Sequence, residues 1–364
     1  MAFQLPAYNA PDFTEERFAA SPDVCTAVCE RDGIAPDGYH STSMFPEYFK
    51  INGKWTLAPE SRMDSSVVVR PDGTLDVVEN RNLRAGDRVV LGRTENGEEG
   101  IYLHGDGFSA ASGGDEAFRF RQGRSRETSY ARDYDELIEL LRYEKEHGKV
   151  VWVLGPAFAF DADARSAMQS MVEHGFVHGL MAGNALATHD LEGAYLHTAL
   201  GQDIYTQRQC MNGHYHHLDV INKVRRSGSI PQFVRDHNIS DGIMYACVKK
   251  EVPFVLAGSI RDDGPLPEVI GDAYEAQRAM RAMLKDTTTV ICLATMLHTI
   301  AAGNMYPSFR VLAGGTVRPA YLYAVDADEF VVNKLLDRGS LAAKTIVTNV
   351  QDFIHIVARG VGVI

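Results

Sequence analysis

The sequence predicts an α/β protein built on a parallel sheet and preceded by a small antiparallel β domain, and three features carry that prediction. Four apolar runs each end in small or polar residues: Phe176–Asp190 (F-V-H-G-L-M-A-G-N-A-L-A-T-H-D), Phe254–Pro267 (F-V-L-A-G-S-I-R-D-D-G-P-L-P), Val290–Asn304 (V-I-C-L-A-T-M-L-H-T-I-A-A-G-N) and Ala320–Asp326 (A-Y-L-Y-A-V-D). Such runs suit strands buried on both faces of a parallel sheet. From Val150 onward they alternate with helical segments, so right-handed crossovers return each strand parallel to the one before. Ahead of that point, short β-type runs are separated by turn chemistry.

Residues 1–40 are rich in Pro, Asp and Ala, have no sustained period, and read as an arm or short helices packed on a neighbour. Residues 41–125 read as the small β-rich domain. Its runs Val67–Val69, Leu75–Val78, Arg88–Leu91 and Gly100–Leu103 are punctuated by P-D-G, R-A-G-D and E-N-G-E-E-G. Arg119–Thr128 is a polar linker with four arginines, and residues 126–364 form the α/β domain. There Tyr134–His147 is a helix with Leu137, Ile138, Leu140 and Leu141 on its apolar side. Val150–Leu154 is a strand ending at Gly155-Pro156, and Asp161–His174 is a helix whose acidic start suits the positive end of its dipole. Next come the strand Phe176–Met181, a helix from about Asp190, the polar segment Gly213–Arg226, a helix near Ile243–Lys249 and the strand Val252–Ala257. The helix Ala273–Leu284 precedes the strand opening at Val290. After Ala320–Val325 the pattern predicts the helix Glu329–Asp337, the strand Lys344–Thr348 and a last helix.

A formal net charge of −12 argues against nucleic-acid and anionic-membrane partners, which need a basic face. No apolar run reaches the length of a membrane span, and M-A-F-Q-L-P-A-Y lacks the basic start and apolar core of a signal peptide. The expectation is a cytoplasmic protein. Five scattered cysteines, Cys25, Cys29, Cys210, Cys247 and Cys292, do not suggest a disulfide framework. Cys25 and Cys29, four apart, read as two small residues on one helix face.

Ligands of open α/β sheets bind in the crevice outside the carboxyl ends of the strands, so the strand ends above point to one site. Asp326, at a strand tip, is suited to accept hydrogen bonds from the hydroxyls of an adenosine ribose. The G-x-G-x-x-G fingerprint is absent from the α/β half. Gly183-Asn184-Ala185 and Thr295-Met296-Leu297 can present backbone N–H groups to a pyrophosphate instead, or serve simply as tight turns. Cys210, His214, His216 and His217 have the spacing C-x3-H-x-H-H, which is not a standard zinc pattern, and no metal is assigned; a histidine cluster near a phosphate or carboxylate fits better. Lys223, Arg225 and Arg226 read as a solvated or intersubunit helix face.

Several long runs in one order resemble the archaeal-type ornithine cyclodeaminase family. They are A-G-N-A-L-A-T-H-D (Ala182–Asp190), G-H-Y-H-H-L (Gly213–Leu218), I-N-K-V-R-R-S-G-S-I (Ile221–Ile230), G-I-M-Y-A-C-V-K (Gly242–Lys249), V-P-F-V-L-A-G-S-I-R-D-D-G-P-L-P (Val252–Pro267), A-T-M-L-H-T-I-A-A-G-N-M (Ala294–Met305) and L-L-D-R-G-S (Leu335–Ser340). The family includes the carboxy-terminal part of cyanobacterial arginine dihydrolase fusions and once carried a lysine-ketoglutarate reductase/saccharopine dehydrogenase label. The resemblance covers Asp133 to the end of the sequence, whereas the amino-terminal third does not read like the usual family partner domain.

What the resemblance implies is a Rossmann-like, deoxyhypusine-synthase-like domain that binds NAD. Its NAD contacts would fall on Asn184, Ala185, Asp263, Thr295, Met296, Leu297, His298, Asp326, Asn349 and Val350. Asn349 stands where the family usually has Asp, and an insertion over Phe309–Pro319 reads as a flap or an interface loop. The implied reaction is redox-neutral: hydride leaves Cα of L-ornithine, the side-chain amine attacks the iminium, ammonia departs, and the hydride returns to give proline. The implied assembly is a homo-oligomer, a dimer or tetramer, acting on a small amino acid.

Asp262 or Asp263 can hold a substrate ammonium or act as base, although D-D-G-P is also turn and helix-start chemistry. His298 is either a structural histidine beside the cofactor or a proton shuttle. Arg261 can bind a carboxylate bidentately or form an ion pair on the surface or between subunits. Arg126-Glu127, at the junction, can close over a substrate or remain a solvated pair. Three other functions are compatible with these residues: an NAD-dependent amino-acid or imine dehydrogenase, a synthase transferring an aminoalkyl group, and a non-catalytic NAD-binding sensor.

Overall fold

The computed structural model describes residues 3–60, 63–108, 131–262, 264–312, 314–328 and 343–364. The expected linker Arg119–Thr128, the pair Arg126-Glu127, the helix Glu329–Asp337 and Asp263 lie outside the described residues.

Turn chemistry shapes the amino-terminal region as expected. After the single-turn α1 (Glu16–Ala19), the strands are β1 (Cys25–Val28), β2 (Glu47–Ile51), β3 (Lys54–Leu57), β4 (Ser65–Val69), β5 (Leu75–Glu79), β6 (Arg88–Leu91) and β7 (Ile101–Leu103). They pair antiparallel in two sheets, ordered β1-β6-β4-β5 and β3-β2-β7. At the β4–β5 turn Gly73 takes the left-handed conformation, φ +83°, which its missing Cβ allows. Alternate residues from the two sheets, among them Phe49, Val67, Val77, Val90 and Ile101, meet in one apolar core.

One expectation about the first forty residues is corrected. Cys25 and Cys29 do not share a helix: Cys25–Val28 pairs in register with Leu91–Arg88, and the Cys29 thiol bonds to the carbonyls of Arg31 and Ile34. The arm also packs on its own chain. Phe13 stacks on Trp55 with centroids 4.7 Å apart, Phe18 meets Tyr102 at 4.8 Å, and the Val24 amide donates to Lys50 O at 2.9 Å. Sparse aromatic anchors without a period produce this wrapping, which is why the pattern was illegible.

The α/β half runs α2 (Ala131–His147), β8 (Val150–Leu154), α3 (Ala162–Glu173), β9 (Gly179–Gly183), α4 (Asn184–Leu196), the short hairpin β10 (Thr198–Ala199) and β11 (Gln202–Asp203), then α5 (His216–Ser227), α6 (Ile230–Asp236) and α7 (Ile243–Lys249). It continues through β12 (Phe254–Ala257), β13 (Val269–Ile270), α8 (Ala273–Leu284), β14 (Thr289–Leu293), α9 (Met296–Met305), the hairpin β15 (Phe309–Val311) and β16 (Val317–Pro319), β17 (Tyr321–Asp326), β18 (Ala343–Val347) and a last helix, Val350–Val361. The seven-stranded sheet has the order β13-β12-β9-β8-β14-β17-β18, and every pair in it is parallel. From central β8 the chain moves outward through β9, β12 and β13, then crosses to β14 on the other side. The switch point of this topology therefore lies between β8 and β14. Both strands are buried at every position, as their apolar composition requires.

Helix α4 begins at Asn184, directly after β9, and not near Asp190. Asp190 instead sits fully buried in mid-helix. Its carboxylate accepts from Arg165 Nε at 2.9 Å and from the amides of Ile243 and Met244 at 3.0 and 2.7 Å, so one side chain ties α3, α4 and the start of α7 together. Helix α6 is a second difference: Ser229 caps it through the Gln232 amide at 3.1 Å, with Pro231 in its first turn.

The segment Phe309–Pro319 joins the β-rich region to the parallel sheet. β15 and β16 pair as a hairpin, Arg310 donates to Glu60 at 2.7 Å and to the carbonyl of Thr287 at 3.3 Å, and Ser308 bonds to the carbonyl of Met44. Thr287 precedes β14, so the hairpin fastens the β-rich region at the amino ends of the parallel strands, opposite the tips where a crevice opens. There too Glu144, wholly buried, accepts from Thr288 Oγ1 at 2.6 Å and Thr289 Oγ1 at 3.0 Å and pairs with buried Arg318.

Glu144→Gln leaves the Arg318 guanidinium buried without its counter-charge, and the expected loss is about 3–5 kcal/mol of unfolding free energy. Breaking the exposed Arg84–Asp32 pair by Asp32→Asn should cost far less, because solvent screens both charges. Equal costs in denaturant titrations would contradict this ranking.

Candidate active site

At the switch point two backbones touch. The Gly155 amide donates to Leu293 O at 2.8 Å, and a Cβ on Gly155 would stand 1.8 Å from Ala294 O. Ala294 itself has φ +51°, the left-handed region that non-glycine residues rarely enter, and its amide donates to Val325 O at 3.1 Å. The tips of β8, β14 and β17 are thereby laced together, with strain held at the middle one.

That bend aims α9. Thr295, its N-cap, is extended and its side chain accepts from no backbone amide of the first turn, so the amides opening the helix are uncapped. Met296 and Leu297 are 44% and 71% exposed, which leaves this helix start open to solvent. Thr295 Oγ1 lies 3.3 Å from His298 Nδ1. The imidazole reaches across the sheet toward the β9 tip, where a Cβ on Gly183 would be 3.1 Å from His298 Cε1. Burial lowers the pKa of His298, and the charge of Asp262 opposes that shift. Asp262, in the loop after β12, accepts from the Ser259 amide at 2.8 Å. Three strand ends, those of β9, β12 and β14, thus meet at His298.

Helix α4 starts in the same way, with Gly183 as an N-cap that has no side chain to offer. Asn184 is buried, and its Oδ1 accepts from the Leu266 amide at 3.0 Å and from Thr188 Oγ1 at 3.3 Å, which pins the loop after β12 to α4. Ala185 is half-buried in the first turn. On the other side of β14, Asp326 closes β17, half-buried, and accepts from the Asp328 amide at 2.9 Å. Asn349 caps the last helix, its Oδ1 accepting from the amides of Gln351 and Asp352 at 2.7 and 3.4 Å, while the Val350 side chain is buried. Arg261 is exposed on the β12 loop, where its amide donates to Ser259 Oγ at 3.1 Å.

The strand ends therefore bring Asn184, Ala185, Thr295, Met296, Leu297 and His298 to one crevice, with Asp326, Asn349 and Val350 along its other arm. Two uncapped helix starts with small residues beside them, and a carboxylate at a neighbouring tip, fit the pyrophosphate and ribose of a dinucleotide. The histidine cluster is regrouped. His216 Nδ1 lies 2.8 Å from Thr198 Oγ1, which donates to buried Glu192, whereas the His214 ring lies tilted against Tyr215 at 4.1 Å. Sequence spacing missed Thr198 because it lies on the short hairpin between α4 and α5, while Glu192, on α4, was readable only as H-x-x-E over His189–Glu192. Among the described residues no group of three His, Cys, Asp or Glu could hold a metal ion.

A family model described as "Arginine dihydrolase ArgZ-like, C-terminal, Rossmann fold" matches residues 136–357. A protein named ornithine cyclodeaminase from Methanocaldococcus jannaschii is 38% identical over 333 residues, covering 89% of this chain and 74% of that protein. The chain belongs to the archaeal-type ornithine cyclodeaminase family.

Within that family, the bifunctional arginine dihydrolase/ornithine cyclodeaminase ArgZ of Synechocystis is 33% identical and matches over 93% of this chain and 46% of its own length. A crystal structure of a conserved putative LOR/SDH protein from Methanococcus maripaludis superposes with a TM-score of 0.82 at 33% identity, over 93% of this chain and 98% of that one. The ternary complex of AgrE with ornithine and NAD+ matches at 32% identity and a TM-score of 0.59, over 94% of this chain and 46% of that one. Coverage of 89–94% includes the amino-terminal third, which corrects the expectation that this third departs from the family. Its short strands and turns hold too few apolar positions for the likeness to be read from one sequence.

With its pKa lowered, His298 binds fewer protons in the folded than in the unfolded chain as pH falls below its ordinary value of about 6.5. Its contribution is therefore full above that value and lost as pH drops through the lowered one. His298→Gln should flatten the decline of stability between pH 7 and 5, with His178, lowered by burial as well, keeping part of the slope. Urea titrations at several pH values read this, and identical slopes in the two proteins would refute it.

Proposed function

We propose that the chain is an NAD-dependent, redox-neutral cyclodeaminase that converts L-ornithine, or a closely related cationic amino acid, to a cyclic imino acid and ammonia. The observation that carries the reading is the match over nearly the whole chain to a relative crystallised with ornithine and NAD+. The crevice geometry supports it independently. The uncapped amides of Met296, Leu297 and His298 at the start of α9, and of Ala185 at the start of α4, receive the pyrophosphate. Asp326 accepts from the ribose hydroxyls, and Asn349 and Val350 border the same arm. When bound, NAD+ would supply the hydride acceptor for Cα and the hydride for the closing reduction.

The protein's own contribution is to bind, orient and exclude water. His298, kept neutral by burial, accepts or relays a proton between Thr295 and Asp262. Arg261, exposed on the loop after β12, receives the α-carboxylate. Ornithine becomes proline plus ammonia with no net oxidation, so nicotinamide need not be exchanged between turnovers. The reading extends to residues 1–40 as an arm, 41–125 as a β-rich domain and 126–364 as the catalytic domain of a cytoplasmic dimer or tetramer. No helix among the described residues is long and apolar enough to cross a membrane.

Incubation with NAD+ and, separately, ornithine, lysine, diaminobutyrate and arginine should yield proline and ammonia from ornithine by mass analysis, with no accumulating absorbance at 340 nm, the usual NADH band, taken as about the only optical readout needed. Stoichiometric NADH would point instead to a net dehydrogenase. Asp326→Ala should weaken NAD+ binding by about 10- to 100-fold, the equivalent of one or two lost charge-assisted hydrogen bonds. Unchanged affinity in a fluorescence titration would remove Asp326 from the nucleotide site.

A further inference from the structure

Helix α4 carries the crevice into a second polar site. His189 follows Ala185 by one turn and Glu192 by two, so the three share a face, with neighbouring Cβ atoms about 6 Å apart. Glu192 is fully buried yet saturated: it accepts from His189 Nδ1 at 2.9 Å, Thr198 Oγ1 at 2.8 Å, and the amides of Leu200 and Gly201 at 3.1 Å each. Burial would raise its pKa, but the hydrogen bonds from His189, Gly201 and Thr198 outweigh burial and lower it. An ionised carboxylate only accepts.

Proton positions follow from that. Thr198 gives its hydroxyl proton to Glu192 and so accepts from His216 Nδ1 at 2.8 Å; His189 Nδ1 likewise carries a proton for Glu192. In their neutral forms both rings are left with Nε2 as a hydrogen-bond acceptor. A third ring, His217, lies with its centroid 6.0 Å from that of His189, and its buried Nδ1 has no hydrogen-bond partner. Phe160, which follows the tip of β8, sets its ring 5.5 Å from His189.

The loop that closes this site is strained. His197, Leu200, Gln207 and Asn212 all have φ between +50° and +59°, and the backbones of Gly201 and Gly213 approach so closely that a Cβ on either would lie 2.4 Å from the other. Conformations of this kind persist where surrounding contacts overdetermine them, often at functional sites.

We infer that His189, His216 and His217, backed by the Glu192 carboxylate and walled by Phe160, form a subsite for an alkylammonium group, the side-chain amine of the diamino-acid substrate. An ammonium has three N–H donors and no acceptor, which matches acceptor nitrogens in front of a buried negative charge. The aromatic wall suits the methylene chain and adds attraction for the cation. This subsite rests on the cyclodeaminase reading for its substrate.

Calorimetry on the NAD+-loaded full chain, with L-ornithine and with L-norvaline, which lacks the side-chain amine, tests it. Wild type should prefer ornithine by at least about tenfold. His217→Gln removes a group with no hydrogen bond to lose, so its melting temperature and NAD+ affinity should stay unchanged while the preference collapses; His189→Gln should lose the preference as well. A His217→Gln protein that still discriminates as wild type does would overturn the subsite, as would wild type binding both ligands equally. The parent reading is judged separately, by turnover: a wild type that prefers ornithine but forms no proline keeps the subsite and loses the cyclodeaminase.

Discussion

The contact between Gly155 and Ala294 is the constraint on which the crevice depends. No side chain fits between these backbones, so the tips of β8 and β14 are held at hydrogen-bonding distance where the strand order reverses. Ala294 then has to turn in the left-handed region, and the turn delivers α9 with its first amides unbonded. A longer connection would relax the strain and would also let the helix drift from the neighbouring tips. Preorganised donors of this kind cost nothing to reorient when an anion arrives, and such sites are where backbone strain is found.

Buried charge does the remaining positioning. At the amino ends of the strands, Glu144 and Arg318 join α2, β14 and the 309–319 hairpin, and Arg310 extends that joint to Glu60 in the β-rich region. On the helical face, Asp190 and Arg165 join α3, α4 and α7. Each carboxylate has several donors, which is the condition under which an ion can be buried at all. The result is a sheet clamped at one end and on one face, with the carboxyl tips left as the accessible edge. Glu192 repeats the device next to the crevice, where His189 Nδ1, Thr198 Oγ1 and the amides of Leu200 and Gly201 surround it.

How much of this was legible follows from the range of each interaction. Strands such as Thr289–Leu293 and helices such as Ala273–Leu284 are encoded in continuous apolar runs and helical periods, and their positions match the expectation closely. The start of α4 was misplaced because a glycine-ended strand can pass straight into a helix, and the first turn, N-A-L-A, carries no side-chain cap to announce it. Cys25 and Cys29 looked helical by spacing alone, and only pairing with Leu91–Arg88 makes a strand of that segment. Asn349 read as a cofactor contact standing where the family usually has Asp; it also caps the last helix, a role a short polar side chain performs well.

By itself, then, the sequence determined the parallel sheet, the residues at its tips and the family, because burial pattern and long ordered motifs are written along the chain. Tertiary structure alone decided that His298 spans from β14 to β9, that the 309–319 hairpin is a clamp at the far end of the sheet, and that Glu192 and Thr198 recruit His189 and His216 into one network. The physical reason is the same in each case. These are contacts between side chains or backbones distant in sequence, and their geometry depends on strand order and loop conformation, which no local period specifies.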